Sequence, residues 1–105
     1  MVGYVYDEST FVGEIVFDGE NYFFTYDDEF LKDVNNFAIS LTLPKQQKAF
    51  VSKHLHPFFS NLLAEGNLKK MQCKVLKIDE EDEFTRLVKT ANIDTIGAIT
   101  VREER

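Results

Sequence analysis

A chain of 105 residues, 44% hydrophobic with ten Phe and four Tyr, has the length of one domain and enough apolar matter for its own core. Its formal charge of −6 argues against direct binding to nucleic acid, which needs clustered Lys and Arg to displace counterions from phosphates. The single cysteine, Cys73, rules out an internal disulfide, residues 1–7 lack the basic and apolar regions of a signal peptide, and nothing approaches the ~20 apolar residues of a membrane span. A cytoplasmic domain that makes no direct membrane contact is expected.

Residues 2–6 read as a strand with Val2, Tyr4 and Tyr6 on one face. Residues 10–17 read as a second, with Phe11, Gly13, Ile15 and Phe17 sharing a face by period two. Asp18-Gly19 signals a hairpin, because Gly accepts the positive φ of a primed turn, and residues 22–26 return as a third strand. Asp27 and Asp28 look like a helix start, with Phe30, Leu31 and Val34 as its apolar stripe and Asn35-Asn36 as its end.

The cleanest strand pattern is 37–43, where Phe37, Ile39, Leu41 and Leu43 alternate with Ala38, Ser40 and Thr42 until Pro44 stops the ladder. Residues 45–52 read as loop or a short edge strand. Pro57 suits a helix N1 position, followed by Phe58, Phe59, Leu62 and Leu63 on one face, with Gly66 ending the helix or opening a tight turn. A second helix is expected over 67–76 with Leu68, Met71, Val75 and Leu76 inward. Asp82 then caps a third containing Phe84, Leu87, Val88 and Ala91. Residues 93–97 read as a turn, 96–101 as a last strand, and 102–105 as a frayed tail. The sum is α+β: a mostly antiparallel sheet with three to four short helices packed on one side, in a single domain over residues 1–105.

No constellation for catalysis emerges. His54 and His56 have the i, i+2 spacing of strand-borne ligands, but no recognised spacing links them to Cys73 or to the acidic run 79–83 as a metal site. The run lacks the alternating oxygen ligands and glycine of an EF-hand and suits a solvated helix start. Ser40, Ser52 and Ser60 lie outside any Gly-x-Ser-x-Gly elbow, and the five glycines are isolated, so no phosphate loop exists. The residues therefore predict no catalytic residue, no metal and no cofactor.

The segment Phe58-Phe59-Ser60-Asn61-Leu62-Leu63-Ala64-Glu65-Gly66 resembles the Phe-Phe-x-Asn-Leu-Leu-Pro-Glu-Gly motif of the N-terminal subdomain of HipA-type kinase toxins. Ile39-Ser40-Leu41-Thr42-Leu43-Pro44 is similar to that family's Ser-Leu-Ser-Leu-Pro element. Gly13-Glu14, Phe24-x-Tyr26 and Phe30-Leu31 match its opening, and Asp94-Thr95-Ile96-Gly97-Ala98-Ile99 resembles its closing Gly-Asp-x-x-Gly-Ala-Val. Order and spacing agree over nearly the whole chain. Ala64 stands where Pro is usual, Ile93 where Gly is common, and Asn67 where a bulky or aromatic residue is frequent.

In full-length relatives this subdomain precedes a serine/threonine kinase, whereas this sequence ends at Arg105. A free-standing copy resembles the small HipS-type antitoxins of three-part HipBST systems; Met1 with the charged ending favours a complete small protein, and a piece of a longer HipA-type chain is the competing explanation. The resemblance implies a non-catalytic antitoxin that binds and neutralises a HipT-like serine/threonine kinase toxin, with a HipB-like protein as the DNA-binding member. The alternative is a non-inhibitory subunit that stabilises the kinase and helps assemble that complex. The turn between the two central helices offers backbone and side chains for contact. Leu63, Ala64, Glu65, Gly66, Asn67 and Leu68 are therefore the expected partner-binding residues.

Overall fold

The computed structural model describes residues 1–92 and 98–105, so the expected turn at 93–97 lies outside the described residues. Strands β1 (Val2–Asp7), β2 (Thr10–Phe17) and β3 (Tyr22–Tyr26) form the expected meander. The chain continues through α1 (Asp28–Lys32), β4 (Ala49–Ser52), α2 (Pro57–Ser60), α3 (Gly66–Leu76) and α4 (Glu83–Thr90) to β5 (Ile99–Arg102). The sheet runs β4-β3-β2-β1-β5, with every pairing antiparallel, which makes the fold α+β.

The Asp18 carboxylate closes the β2–β3 hairpin by accepting the N–H groups of Glu20 and Asn21, each at 2.8 Å. The Asn21 and Glu20 donors hold its pKa below the ordinary value. Strict alternation fails once in β2. Val5 pairs with Gly13 and Tyr6 with Phe11, leaving Val12 as a bulge residue. Val12 consequently turns into the core beside Ile15, and Phe11 goes to the other face with Tyr4 and Tyr6, 5.4 Å from the Tyr6 ring. The expected face of Phe11, Gly13, Ile15 and Phe17 is thus split by one extra residue.

Gly3 and Val5 line the core face of β1, and the Val88 side chain of α4 closes over Gly3. Gly13 has a stricter reason. A Cβ there would stand 2.2 Å from the carbonyl oxygen of Thr25, so β2 and β3 meet at a separation only glycine permits. The aromatic core is built around β3. Phe24 meets Tyr26 edge-on at 4.8 Å, Phe59 of α2 lies 5.3 Å from Phe24, and Phe30 of α1 stacks on Tyr26 at 5.6 Å. The tail is anchored rather than frayed. The Tyr6 hydroxyl donates to the Arg105 carbonyl at 2.7 Å, and the guanidinium groups of Arg102 and Arg105 cover the rings of Tyr6 and Phe11.

Residues 37–43 form no strand. They fold into turns that bury Leu43 and leave Phe37 exposed and Leu41 99% exposed. The Tyr26 hydroxyl explains the outcome. It donates to the Leu43 carbonyl at 2.5 Å and accepts the Ile39 N–H at 3.2 Å, taking backbone groups that a ladder would need. Burial holds the Tyr26 phenol above its ordinary pKa, against the pull of the Ile39 N–H, so the proton needed for donation stays in place. Lys45 fixes the far side through the Asp33 and Asn36 carbonyls. The edge strand expected within 45–52 is β4, and the Gln47 side chain donates to its Ala49 carbonyl at 2.6 Å.

The helices follow their caps unevenly. Asp82 caps α4 as expected, accepting from the Thr85 N–H, and Phe84, Leu87, Val88 and Ala91 are buried. In α1 the Asp27 side chain makes no capping bond, and Asp28 pairs with Lys48 at 2.7 Å instead. That helix ends at Lys32, leaving Val34 outside it and exposed. Pro57 is at the start of α2 as expected, but α2 is one turn long.

Gly13→Ala should lower unfolding free energy by ~1–3 kcal/mol through forced displacement of β3, read as a urea midpoint shift. Tyr26→Phe should cost about 1–3 kcal/mol, because two backbone groups lose their partner, and hydrogen exchange should accelerate at Ile39. A third expectation concerns pH. His56 Nδ1 accepts the Phe58 N–H at 3.0 Å, which requires neutral imidazole, and burial holds its pKa below 6.5 against a backbone hydrogen bond with Thr42. The unfolded chain therefore binds the proton first. Stability from this cap is complete above the unfolded pKa and falls as pH drops toward the folded one. His56→Asn keeps an acceptor and should flatten the urea midpoint difference between mildly alkaline and mildly acidic buffer.

Candidate protein-docking site

Several of the groups that could suggest chemistry are occupied by local structure. His56 caps α2, while the exposed His54 donates its backbone N–H to Ser52 Oγ. Ser40 Oγ lies 2.9 Å from Thr42 Oγ1 and accepts the Thr42 N–H, and Ser60 Oγ donates to the Pro57 carbonyl. Cys73 is the buried residue of α3. In the acidic run, Asp79 accepts the Glu81 N–H and Asp82 caps α4, so two of its carboxylates serve turns. Among the described residues no group of three or more His, Cys, Asp or Glu is placed to hold a metal ion. No helix among them is long and apolar enough to cross a membrane.

The turn between α2 and α3 differs from the sequence expectation. After α2, the Leu62 and Leu63 N–H groups bond back to the Phe59 and Ser60 carbonyls, and the chain extends through Glu65. Gly66 does not stop the preceding helix. It opens α3 at φ +62°, a conformation that a Cβ would strain. Of the six expected contact residues, Leu63 is buried in the core and Ala64 is half-buried, whereas Glu65, Gly66, Asn67 and Leu68 are exposed in sequence. The turn thus brings four consecutive residues to the surface and withdraws one.

What fixes the turn is Arg86 of α4, a residue no periodicity singles out. Its guanidinium is buried, and its Nη2 donates to the Ala64 carbonyl at 2.8 Å while Nη1 reaches the Glu80 carbonyl at 3.5 Å. The first acceptor lies 22 residues earlier in the chain, so only the fold reveals the pairing. Arg86, Ser60, Asn61 and Lys69 line a polar cleft of about 250 Å³ beside the turn.

The outer side of α3 also departs from expectation. Leu68, Met71, Val75 and Leu76 do not point inward; they are 53%, 59%, 72% and 46% exposed, and the helix anchors itself through Cys73. Amphipathic spacing was real, but the sheet and α4 complete the core without this stripe. The arrangement supports adhesion through a pinned turn and an adjoining helix, and offers no assembled reactive group among the described residues.

The sequence matches the HipA N-terminal domain over residues 4–102. A Haemophilus influenzae protein of uncharacterized function is 31% identical over 103 residues, which cover 98% of this chain and 92% of the relative. A Sinorhizobium fredii protein provisionally named as a kinase is 28% identical over 81 residues, 77% of this chain but 19% of that protein. Among solved structures, an N-terminal domain of HipA toxin superposes with a TM-score of 0.71 at 29% identity, covering 99% of this chain and 92% of the other. On the strength of the matched span, the chain belongs to the HipA N-terminal domain family.

Proposed function

We propose that this chain is a non-catalytic, cytoplasmic antitoxin of the HipS type, which binds a HipT-like serine/threonine kinase toxin and holds it inactive. Family membership supplies the toxin–antitoxin setting. The observation that carries the reading is the exposed turn Glu65, Gly66, Asn67 and Leu68, held from beneath by buried Arg86. A turn fixed before contact loses little entropy on docking, which favours affinity. Inhibition then requires only tighter binding to the inactive arrangement of the kinase than to the active one.

A second reading is supported by the S. fredii relative, in which the matched region is 19% of a much longer protein named as a kinase. Here the chain completes and stabilises the kinase and helps it assemble with a HipB-like DNA-binding protein, without inhibiting it.

Kinase assays on a purified HipA-family catalytic chain from the same genome separate the two. Under the first reading, saturating amounts of this protein should lower phosphoryl transfer at least tenfold. Full activity in a demonstrated complex, with a raised melting temperature of the kinase, would leave only the second. Glu65→Lys with Asn67→Lys, both exposed, should weaken the complex by about tenfold or more while leaving this chain's own melting temperature unchanged.

A further inference from the structure

We infer that the outer face of α3 is a docking ridge, Leu68, Met71 and Val75 flanked by Lys70 and Lys74, whose occupant is an apolar groove with an acidic rim on a protein partner. The inference rests on the reading that this chain works by binding a protein, and adds the chemistry of the surface that receives it.

The ridge begins where the pinned turn ends, at Leu68. Positions 68, 71 and 75 follow one another at i, i+3 and i+7, which sets them along one side of the helix. All three are more than half exposed. An eleven-residue helix that buries only Cys73 is a poor use of apolar side chains unless another surface covers them. Spacing of this kind is how a helix enters a groove.

Charge narrows the occupant. The chain as a whole is acidic at −6, yet α3 carries Lys69, Lys70 and Lys74 and no carboxylate, with Lys77 at its C-cap. On the helical wheel Lys74 stands beside Met71 at the edge of the ridge, and Lys70 follows one step further round, between Lys74 and buried Cys73. A basic flank on an otherwise acidic protein steers the ridge toward an acidic rim and disfavours a basic one. The long methylene stems of these lysines widen the apolar contact while their heads meet the carboxylates.

The test uses the full chain and the purified HipA-family kinase chain. Titration of the ¹⁵N-labelled protein with the kinase should shift or broaden the Leu68, Met71 and Val75 amides. Met71→Glu with Val75→Glu should weaken binding at least about 30-fold, as expected for central apolar anchors. Lys70→Glu with Lys74→Glu should slow association about tenfold at low salt, with the difference shrinking as salt is raised. All four positions are exposed, so the melting temperature of each free variant should stay near that of the parent.

Tight binding that survives both ridge variants, yet is lost on changing Glu65 and Asn67, overturns the ridge and leaves the function intact. Absence of any binding by the parent chain overturns both. Concentration-dependent dimerisation, or adsorption to phosphatidylglycerol vesicles, that disappears in Met71→Glu with Val75→Glu reassigns the ridge to a second copy or a lipid surface and also overturns the inference.

Discussion

The guanidinium of Arg86 is the constraint on which the helical half of the molecule depends. Burying a guanidinium is costly unless its donors are satisfied. Here the acceptors are main-chain carbonyls from two separate segments, Ala64 before α3 and Glu80 before α4. One side chain thereby locks the α2–α3 turn to the approach of α4, and α4 is in turn packed on Gly3 and the sheet. The surface that follows, exposed and polar at Glu65 and Asn67, inherits the rigidity of the core rather than that of a loop.

Where residues make their own local bonds, the sequence was a good guide. The Asp18 hairpin, the ends of β2 and β3, Pro57 at a helix start and the Asp82 cap are short-range devices, and each stands where its side chain suggests. Residues 37–43 failed because alternation reports which side chains are apolar, not whether a neighbouring strand is free to pair. The Tyr26 hydroxyl, 13 and 17 residues away, claims their backbone instead. The bulge at Val12 is a similar case, since a single unpaired residue leaves no mark on composition.

Residues 66–76 show a different limit. Their helical period was legible and correct, but period cannot say which body covers the apolar side. Leu68 and its companions face solvent because the core of Phe59, Phe84 and Leu87 is complete without them. Arg86 lay beyond sequence reasoning for the opposite reason: a charged residue on a helix reads as surface until the carbonyls that receive it are seen. The turn itself was therefore locatable from its motif, while the way it is held was not. Of the six motif residues, Leu63 belongs to the hydrophobic interior and Glu65, Gly66, Asn67 and Leu68 to the outside.

The Gln47 amide on the Ala49 carbonyl has an effect beyond its own bond. β4 is the outermost strand on its side of the sheet, and a bare rim there would accept any extended chain, including another molecule of the same kind. With one rim carbonyl already engaged, that end of β4 is a poorer template for strand addition. Losing the Gln47 side chain would free that acceptor for an incoming strand.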